Sequence, residues 1–453
     1  MENILALLQK FDVPTPRYTS YPTVPYWVHE TMTTDIWKQS VVNTFKKENG
    51  EMSIYIHLPF CENLCTFCAC NKRITTNHKV ESPYIATVLK EWQMYVALLP
   101  SKPIIHEIHL GGGTPTFFSP EHLTELINGI TKAGIVPADH EFSVEVHPNY
   151  TTKEHLKALA DVGFNRISLG VQDFDPAVQF VINRIQSFEK TNEVVEWARE
   201  LNYSSVNVDL VYGLPKQTVA SVEHTINNIK KMMPDRIAFY SYAHVPWKSK
   251  VQRRYTEEDL PKATEKWEMY NTGRKLLLDA GFDAIGMDHF ALPDDKMFAA
   301  SADGNLHRNF MGYTTTQTKL IIGLGASSIS DCWDGFIQNE KEVEAYEEKI
   351  AQGIFPIVAG HKLDVEDEMI RKNILELMCQ DKTTLQPEKL DNALFAEMKS
   401  KLQQLLADDL IELNNNEIVV KENGKLFVRI ISAAIDARLL RKQSTGNTFS
   451  KAI

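Results

Sequence analysis

Ile54-Tyr55-Ile56-His57-Leu58-Pro59-Phe60-Cys61-Glu62-Asn63-Leu64-Cys65-Thr66-Phe67-Cys68-Ala69-Cys70 joins a short apolar run to a loop holding four of the chain's six cysteines. A run of this length closed by proline reads as a strand, which puts the thiols at a strand's C-terminal end. Cys61, Cys65 and Cys68 are spaced Cys-x-x-x-Cys-x-x-Cys. That is short enough for one loop to reach three corners of an iron–sulfur cubane and leave the fourth iron open. Two other readings stand beside this one. A disulfide needs an oxidising compartment, of which the sequence gives no sign. Structural zinc also suits Cys-x-x-Cys spacing, with His57 or His78 completing the set, although a second, distant knuckle is missing. Cys332 and Cys379 stand alone and read as buried free thiols.

Outward from this loop, apolar or β-branched runs alternate with stretches of helical period. The runs are Ile54 to Leu58, Ile104 to Leu110, Phe142 to Val146, Arg166 to Val171, Val206 to Val211 and Ile237 to Tyr242. Between them lie Tyr84 to Leu99, Pro120 to Ala133, Lys153 to Val162, Thr191 to Leu201 and Val219 to Met232. This rhythm predicts an α/β fold with a parallel sheet and right-handed crossovers. Six units are too few for a closed eight-fold barrel, so the expectation is a partial (β/α)6 TIM-like barrel. Function in such folds gathers at the C-terminal strand ends. There the sequence places the cysteines, Gly111-Gly112-Gly113-Thr114, Glu145, Gln172-Asp173, Asp209 with Gly213-Leu214-Pro215, and Ala243-His244. The triple glycine lacks the endings of a P-loop or a dinucleotide fold, which leaves a backbone free to approach a ligand beside the thiols.

Three parts are expected. Residues 1–50 form an N-terminal arm and helix, 51–345 the partial barrel, and 346–453 a smaller, mainly helical covering domain. Phe282 to Met287 and Leu320 to Ser330 look like strands that extend the sheet, and the His- and Arg-rich stretch between them reads as a functional loop. The helix pair and hairpin after residue 350 resemble a DNA-binding wing. However, Asp364 to Glu412 carries 12 acidic and 6 basic residues, which favours a cover. The whole chain has 48 Lys plus Arg against 59 Asp plus Glu, a net charge of -11, and this excludes a broad nucleic-acid surface. No apolar stretch approaches the roughly 18 residues of a membrane span, and Met1 to Lys10 lacks a basic region ahead of its apolar run. A cytoplasmic protein is expected.

At this point the sequence resembles the radical S-adenosylmethionine (SAM) superfamily and, within it, the oxygen-independent coproporphyrinogen III oxidases of haem biosynthesis. The resemblance runs from Arg17-Tyr18-Thr19-Ser20-Tyr21-Pro22-Thr23 to Phe449-Ser450-Lys451-Ala452-Ile453. It includes Cys70 before Asn71-Lys72, Gly170-Val171-Gln172-Asp173-Phe174, Asp209 to Thr218, Gly286-Met287-Asp288-His289-Phe290 and Arg308-Asn309-Phe310. Ala69 stands where that family usually has glycine, and the stretch Thr316 to Lys319 lacks the family's acidic residues.

The resemblance implies a 4Fe-4S cluster on Cys61, Cys65 and Cys68, with SAM on the open iron. It implies two SAM molecules, the first at Tyr55, Gly112, Glu145 and Ile329. The second lies at Phe67, Gly113, Thr114, Gln172, Arg184, Asp209 and Ala243. Cys70 and Tyr55 are implied as catalytic, with Cys70 outside the ligand set. The implied reaction turns two propionates of coproporphyrinogen III into vinyl groups by way of a 5'-deoxyadenosyl radical. Implied too are a reductase or flavodoxin-type electron donor and a monomer. Arg17, Lys72, Arg73 and Arg308 are candidates to meet the substrate's carboxylates. The alternatives are a related radical SAM haem chaperone or another porphyrin-modifying relative, and a zinc-stabilised interaction protein.

Overall fold

The computed structural model describes residues 2–442 and 448–452; Met1 and Ile453, used above to mark the chain's ends, lie outside the described residues. The six runs become β1 (Glu51–Leu58), β2 (Ile104–Gly112), β3 (Glu141–Val146), β4 (Phe164–Gln172), β5 (Ser205–Tyr212) and β6 (Arg236–Ser241). Each pairs in parallel with the next. The crossover helices Pro120–Thr131, Lys153–Asp161, Phe188–Glu200 and Val219–Met232 begin at Ser119, Thr152, Ser187 and Thr218, whose side chains accept a backbone N–H of the first turn. Such caps satisfy donors a helix leaves open, and they fix where each crossover starts.

The sheet grows at both edges through β7 (Asp283–Ile285), β8 (His289–Ala291), β9 (Ile321–Leu324), β10 (Ile329–Asp331), β11 (Gly335–Asn339) and β12 (Ile357–Lys362). Its order is β12-β11-β10-β9-β1-β2-β3-β4-β5-β6-β8-β7, an open partial barrel with a helical exterior. The run Leu320 to Ser330 is two strands. β9 lies parallel to β1 as a seventh parallel strand, and β10 turns back antiparallel to it. The stretch expected to be one functional loop contains β8, the helix Lys296–Ala302 and a hairpin, His307–Asn309 with Gly312–Thr314.

The division after residue 345 falls inside the helix Val343–Ala351, whose Tyr346 and Ile350 pack into the main core. The sheet runs on to Lys362, and a second core begins in the helix Val365–Gln380. That core also takes in Leu7, Leu8, Tyr18 and Tyr21 from the N-terminal arm. The hairpin near residues 410–420 is Ile411–Asn414 with Glu417–Val420. After the hairpin come two short helices, Val428–Ala433 and Ala437–Arg441. Among the described residues no helix is long and apolar enough to cross a membrane.

Polar residues at every second position of the parallel strands meet one another inside the barrel. Tyr55 stacks on His109 at 5.9 Å, and His109 reaches Ser143 at 2.6 Å. Asn207 Nδ2 donates to Ser168 Oγ at 2.8 Å. Side chains two apart on a strand share a face, so this sequence period turns hydrogen-bonding groups inward along the barrel's length.

Candidate active site

The cysteine loop is closed where Phe60–Cys61 pairs with Arg73–Ile74. Its backbone is held carbonyl by carbonyl. Tyr255 Oη donates to Thr66 O at 3.0 Å, Gln252 Nε2 to Phe67 O at 2.7 Å and Ser249 Oγ to Cys68 O at 3.0 Å. Lys72 Nζ adds bonds of 3.1 and 3.4 Å to Cys68 O and Cys70 O. Cys61 and Cys65 are buried, Cys68 is half-buried and Cys70 is exposed. Thr114 Oγ1 donates to Cys61 Sγ at 3.4 Å and Arg184 Nη1 to Cys65 Sγ at 3.7 Å. Burial pushes the Cys61 thiol up to about 11, with the Thr114 bond opposing. The hydrogen bond between Cys68 and Cys70 lowers the first thiol and raises the second.

Beyond the loop, the glycine turn lies against the end of β1. Gly113 N donates to Leu58 O at 2.8 Å, and a Cβ on Gly113 would sit 2.7 Å from the Pro59–Phe60 backbone. Gly112 has φ +110, a conformation other residues enter only with strain. Its N–H donates to Glu145 Oε2 at 3.3 Å, while His109 Nε2 donates to Glu145 Oε1 at 3.2 Å. Burial raises the Glu145 carboxyl, but the His109 and Gly112 contacts outweigh it and hold the group below its ordinary value. His57 Nε2 donates to Asn71 O at 2.9 Å, which leaves Nδ1 to accept from Tyr55 Oη at 3.0 Å. Burial keeps His57 neutral and consistent with that tautomer.

Two neighbouring cavities share Cys70, Gly112 and Glu145 as a common wall. One is lined by Tyr55, Gly112, Glu145 and Ile329, the whole of the set assigned above to a first SAM. The other is lined by Phe67, Gly113, Thr114, Gln172, Arg184 and Asp209, together with the three thiols Cys61, Cys65 and Cys68. Ala243, assigned to the second set, is not among the lining residues of either cavity; its carbonyl accepts from Gln252 Nε2 at 3.3 Å. Asp209 is held at 2.9 Å by both Ser168 and Asn207, and burial pushes its carboxyl up to about 6. Gln172 sits at φ +69, at a bulge in β4 opposite Leu210. Arg184 bridges Gly170 O and Cys65 Sγ, with its Nε unpartnered among the described residues.

Three thiols on one rigid loop, each receiving a hydrogen bond, fit a cluster that needs thiolate ligands and is tuned by such bonds. Among the described residues no three His, Cys, Asp or Glu side chains are gathered to hold a single metal ion; a cubane does not require that, since each thiolate takes its own iron. His57 is occupied by Tyr55 and Asn71, and His78 stacks on Phe117 and bonds Glu81. The basic candidates separate. Arg73 is half-exposed and paired with Glu344, and Lys72 serves the loop's own carbonyls. Arg17 and Arg308 lie deeper, toward Asp288. Reading only strand ends missed His109, Ser143, Ser168 and Asn207. Their signal is the alternation His109, Gly111; Ser143, Glu145; Ser168, Gly170; Asn207, Asp209.

Residues 55–229 match the family model of the radical SAM superfamily. The chain is 38% identical over 440 residues to the oxygen-independent coproporphyrinogen III oxidase of Pseudomonas aeruginosa, covering 96% of this chain and 95% of that one. It is 38% identical over 457 residues to the enzyme of the same name from Synechocystis, covering 99% and 97%. The solved structure of coproporphyrinogen III oxidase (HemN) from Escherichia coli, a radical SAM enzyme, superposes with a TM-score of 0.88 at 34% identity over 95% of this chain and 98% of that one. With relatives this similar along nearly its whole length, and with its thiol loop at the mouth of a partial barrel, the chain belongs to the oxygen-independent coproporphyrinogen III oxidase family of the radical SAM superfamily.

Proposed function

We propose that this protein converts coproporphyrinogen III to protoporphyrinogen IX without oxygen, in haem biosynthesis. Cys61, Cys65 and Cys68 would hold a 4Fe-4S cluster which, with SAM, would supply the radical chemistry that removes a hydrogen atom from a propionate β-carbon. CO2 would then leave and the remaining electron would pass to an external acceptor, giving the vinyl group. The observation that carries the reading is the pair of cavities meeting at Cys70, Gly112 and Glu145, beside the thiol loop.

The chain's own groups bind, aim and exclude water. Glu145 stays ionised and accepts from a ligand ammonium or hydroxyl beside the Gly112 N–H. Tyr55 is fixed by His57 and flattened against His109, so it forms a rigid wall for the first SAM. A second SAM is held by Asp209, Gln172, Arg184 and the Gly113–Thr114 turn, with Phe67 as an apolar side. Ala243 takes part through its backbone, which Gln252 positions together with Phe67. Cys70, exposed and carrying its proton, faces the space between the two cavities and acts on the substrate rather than on iron. The electron enters from a reductase or flavodoxin-type donor. The protein acts as a monomer in the cytoplasm, a location with which the six unpaired cysteines accord.

The test is anaerobic reconstitution with iron and sulfide, followed by reductant, SAM and coproporphyrinogen III. Protoporphyrinogen IX, CO2 and 5'-deoxyadenosine are the expected products. 5'-Deoxyadenosine with no change in the porphyrinogen sinks the substrate. Equilibrium binding of SAM to the loaded protein should show two sites, and Asp209→Asn should remove one of them. Cys70→Ala should keep its iron and lose turnover; loss of iron from that variant breaks the division among the four thiols.

A further inference from the structure

Where β6 ends against the C-terminal segment, a small cavity is walled by Arg17, Tyr212, Asp288 and Arg429. Arg429 is fully engaged. Its three nitrogens donate to the carbonyls of Thr15, Pro16, Lys451 and Ala452, tying the N-terminal arm to the tail. That tie sets Arg17 at the strand end, where its Nη2 donates to Ser241 O at 2.7 Å.

Arg308 is only 5% exposed and lies 4.5 Å from the Tyr313 ring. Among the described residues its Nε and Nη1 have no hydrogen-bond partner. Asp288 acts electrostatically on both arginines. Yet no ion pair within 4.0 Å joins it to either among the described residues, and its Oδ1 already accepts from His289 Nδ1 at 2.7 Å. Arg17 and Arg308 both depress the Arg429 guanidinium, after the larger effect of burial, which brings it down to about 9. Two guanidiniums, half-buried Arg17 and buried Arg308, therefore act on the single buried carboxylate of Asp288, an excess of positive charge that one more carboxylate relieves.

Arg308 adjoins the site along the chain. Asn309, Phe310 and Met311, which follow Arg308, line the cavity of Tyr55, Cys70 and Ile329. Tyr240 bridges the distance: its hydroxyl is 3.5 Å from His289 Nε2, and Asp209 and Arg308 both act on it. A guanidinium fork matches a carboxylate in two parallel hydrogen bonds, and the substrate proposed above carries four carboxylates.

We infer that Arg308 and Arg17 form a carboxylate subsite that takes one propionate of the bound substrate, not the one undergoing decarboxylation, and thereby sets which ring faces the two shared-wall cavities. This rests on the substrate proposed above. Arg308 is the main anchor; Arg17 joins it only when the arm is docked by Arg429.

Equilibrium dialysis of the full-length, cluster-loaded protein against coproporphyrin III, the stable oxidised form with the same four carboxylates, tests this, with its tetramethyl ester as control. Arg308→Gln should weaken retention of the free acid at least about tenfold, Arg308→Lys less, and neither should alter retention of the ester. Where Arg308→Gln does not fold, Arg17→Gln carries the same comparison. Equal retention of the free acid by wild type and these variants, with turnover unchanged, overturns the subsite and leaves the proposed reaction standing. No retention by wild type, while 5'-deoxyadenosine is still made from SAM, overturns the substrate and the subsite with it.

Discussion

The two ends of the barrel interior bury arginines in opposite ways. At the N-terminal end Arg166 pairs with Glu141, and Arg236 Nε donates to Asp295 Oδ1 at 2.5 Å with 1% and 2% of the two side chains exposed. Asp295 also accepts from Ser205 Oγ at 2.9 Å and caps the helix Lys296–Ala302. At the C-terminal end Arg184 rests on a sulfur and a carbonyl, and Arg308 keeps two N–H groups unpaired. Arg166 Nε and Arg236 Nη1 are unpaired too among the described residues, so the difference lies in the carboxylates. Each arginine of the N-terminal end has one at hand, whereas no carboxylate lies within 4.0 Å of Arg184 or Arg308 among the described residues.

The largest effect belongs to the open end. Cys65→Ala removes a thiolate no other residue can replace, so iron and sulfide content after reconstitution should fall and SAM cleavage should drop to background. The apo protein's unfolding midpoint should stay near wild type. At the closed end the pattern inverts. Asp295→Ala leaves Arg236 buried with its carboxylate gone, which costs about 3–5 kcal/mol. Urea unfolding should show that loss, while SAM binding by the folded fraction is preserved. If Asp295→Ala destroys SAM binding and spares stability, the contrast between the ends fails.

Between these lies an effect that changes with pH. Burial raises Asp209 from 3.8 to about 6, so the folded state holds that proton more tightly than the unfolded chain does. Its contribution to stability is therefore largest in acid and is lost as pH rises from about 4 through about 6, a difference worth about 3 kcal/mol. Asp209→Asn removes the loss. Relative to wild type it should gain about that much stability between pH 4 and pH 7 by urea titration, while losing SAM affinity. A variant whose advantage does not grow with pH shows that Asp209 is not held against its charge.

Much of the site was legible because its signals are local: three thiols in one loop, a triple glycine, and carboxylates at strand ends. The barrel lining was not, because Ser143, Ser168 and Asn207 sit in the middle of strands, away from the C-terminal ends where such folds gather their chemistry. The sheet's far edge was misjudged for a related reason. β11 and β12 contain Gly335 and Gly360, which pack under Met32, so the apolar partner is supplied from the N-terminal arm rather than from the strands themselves. The unusual stretch Thr316 to Lys319 lies at the closed end, with Thr318 bonded to Ser53 at 2.5 Å and Lys319 to Glu48 at 3.0 Å. Its departure from the family pattern does not reach the mouth.

Direction also escaped the sequence, and Arg73 sharpens the comparison most finely. It shares a loop with Lys72 and stands three residues from Cys70, so sequence position alone makes it as good a carboxylate ligand as Arg308. In the fold its side chain is 50% exposed and meets Glu344, itself 64% exposed, at 2.8 Å. A matched, solvated pair of this kind contributes roughly 0–1 kcal/mol and is screened by salt. Arg73→Ala should therefore shift the unfolding midpoint barely at low ionic strength and less still at high, and leave coproporphyrin III retention at the wild-type level. Should retention fall in Arg73→Ala and hold in Arg308→Gln, a carboxylate is recruited by proximity to the thiols and not by an unmatched charge.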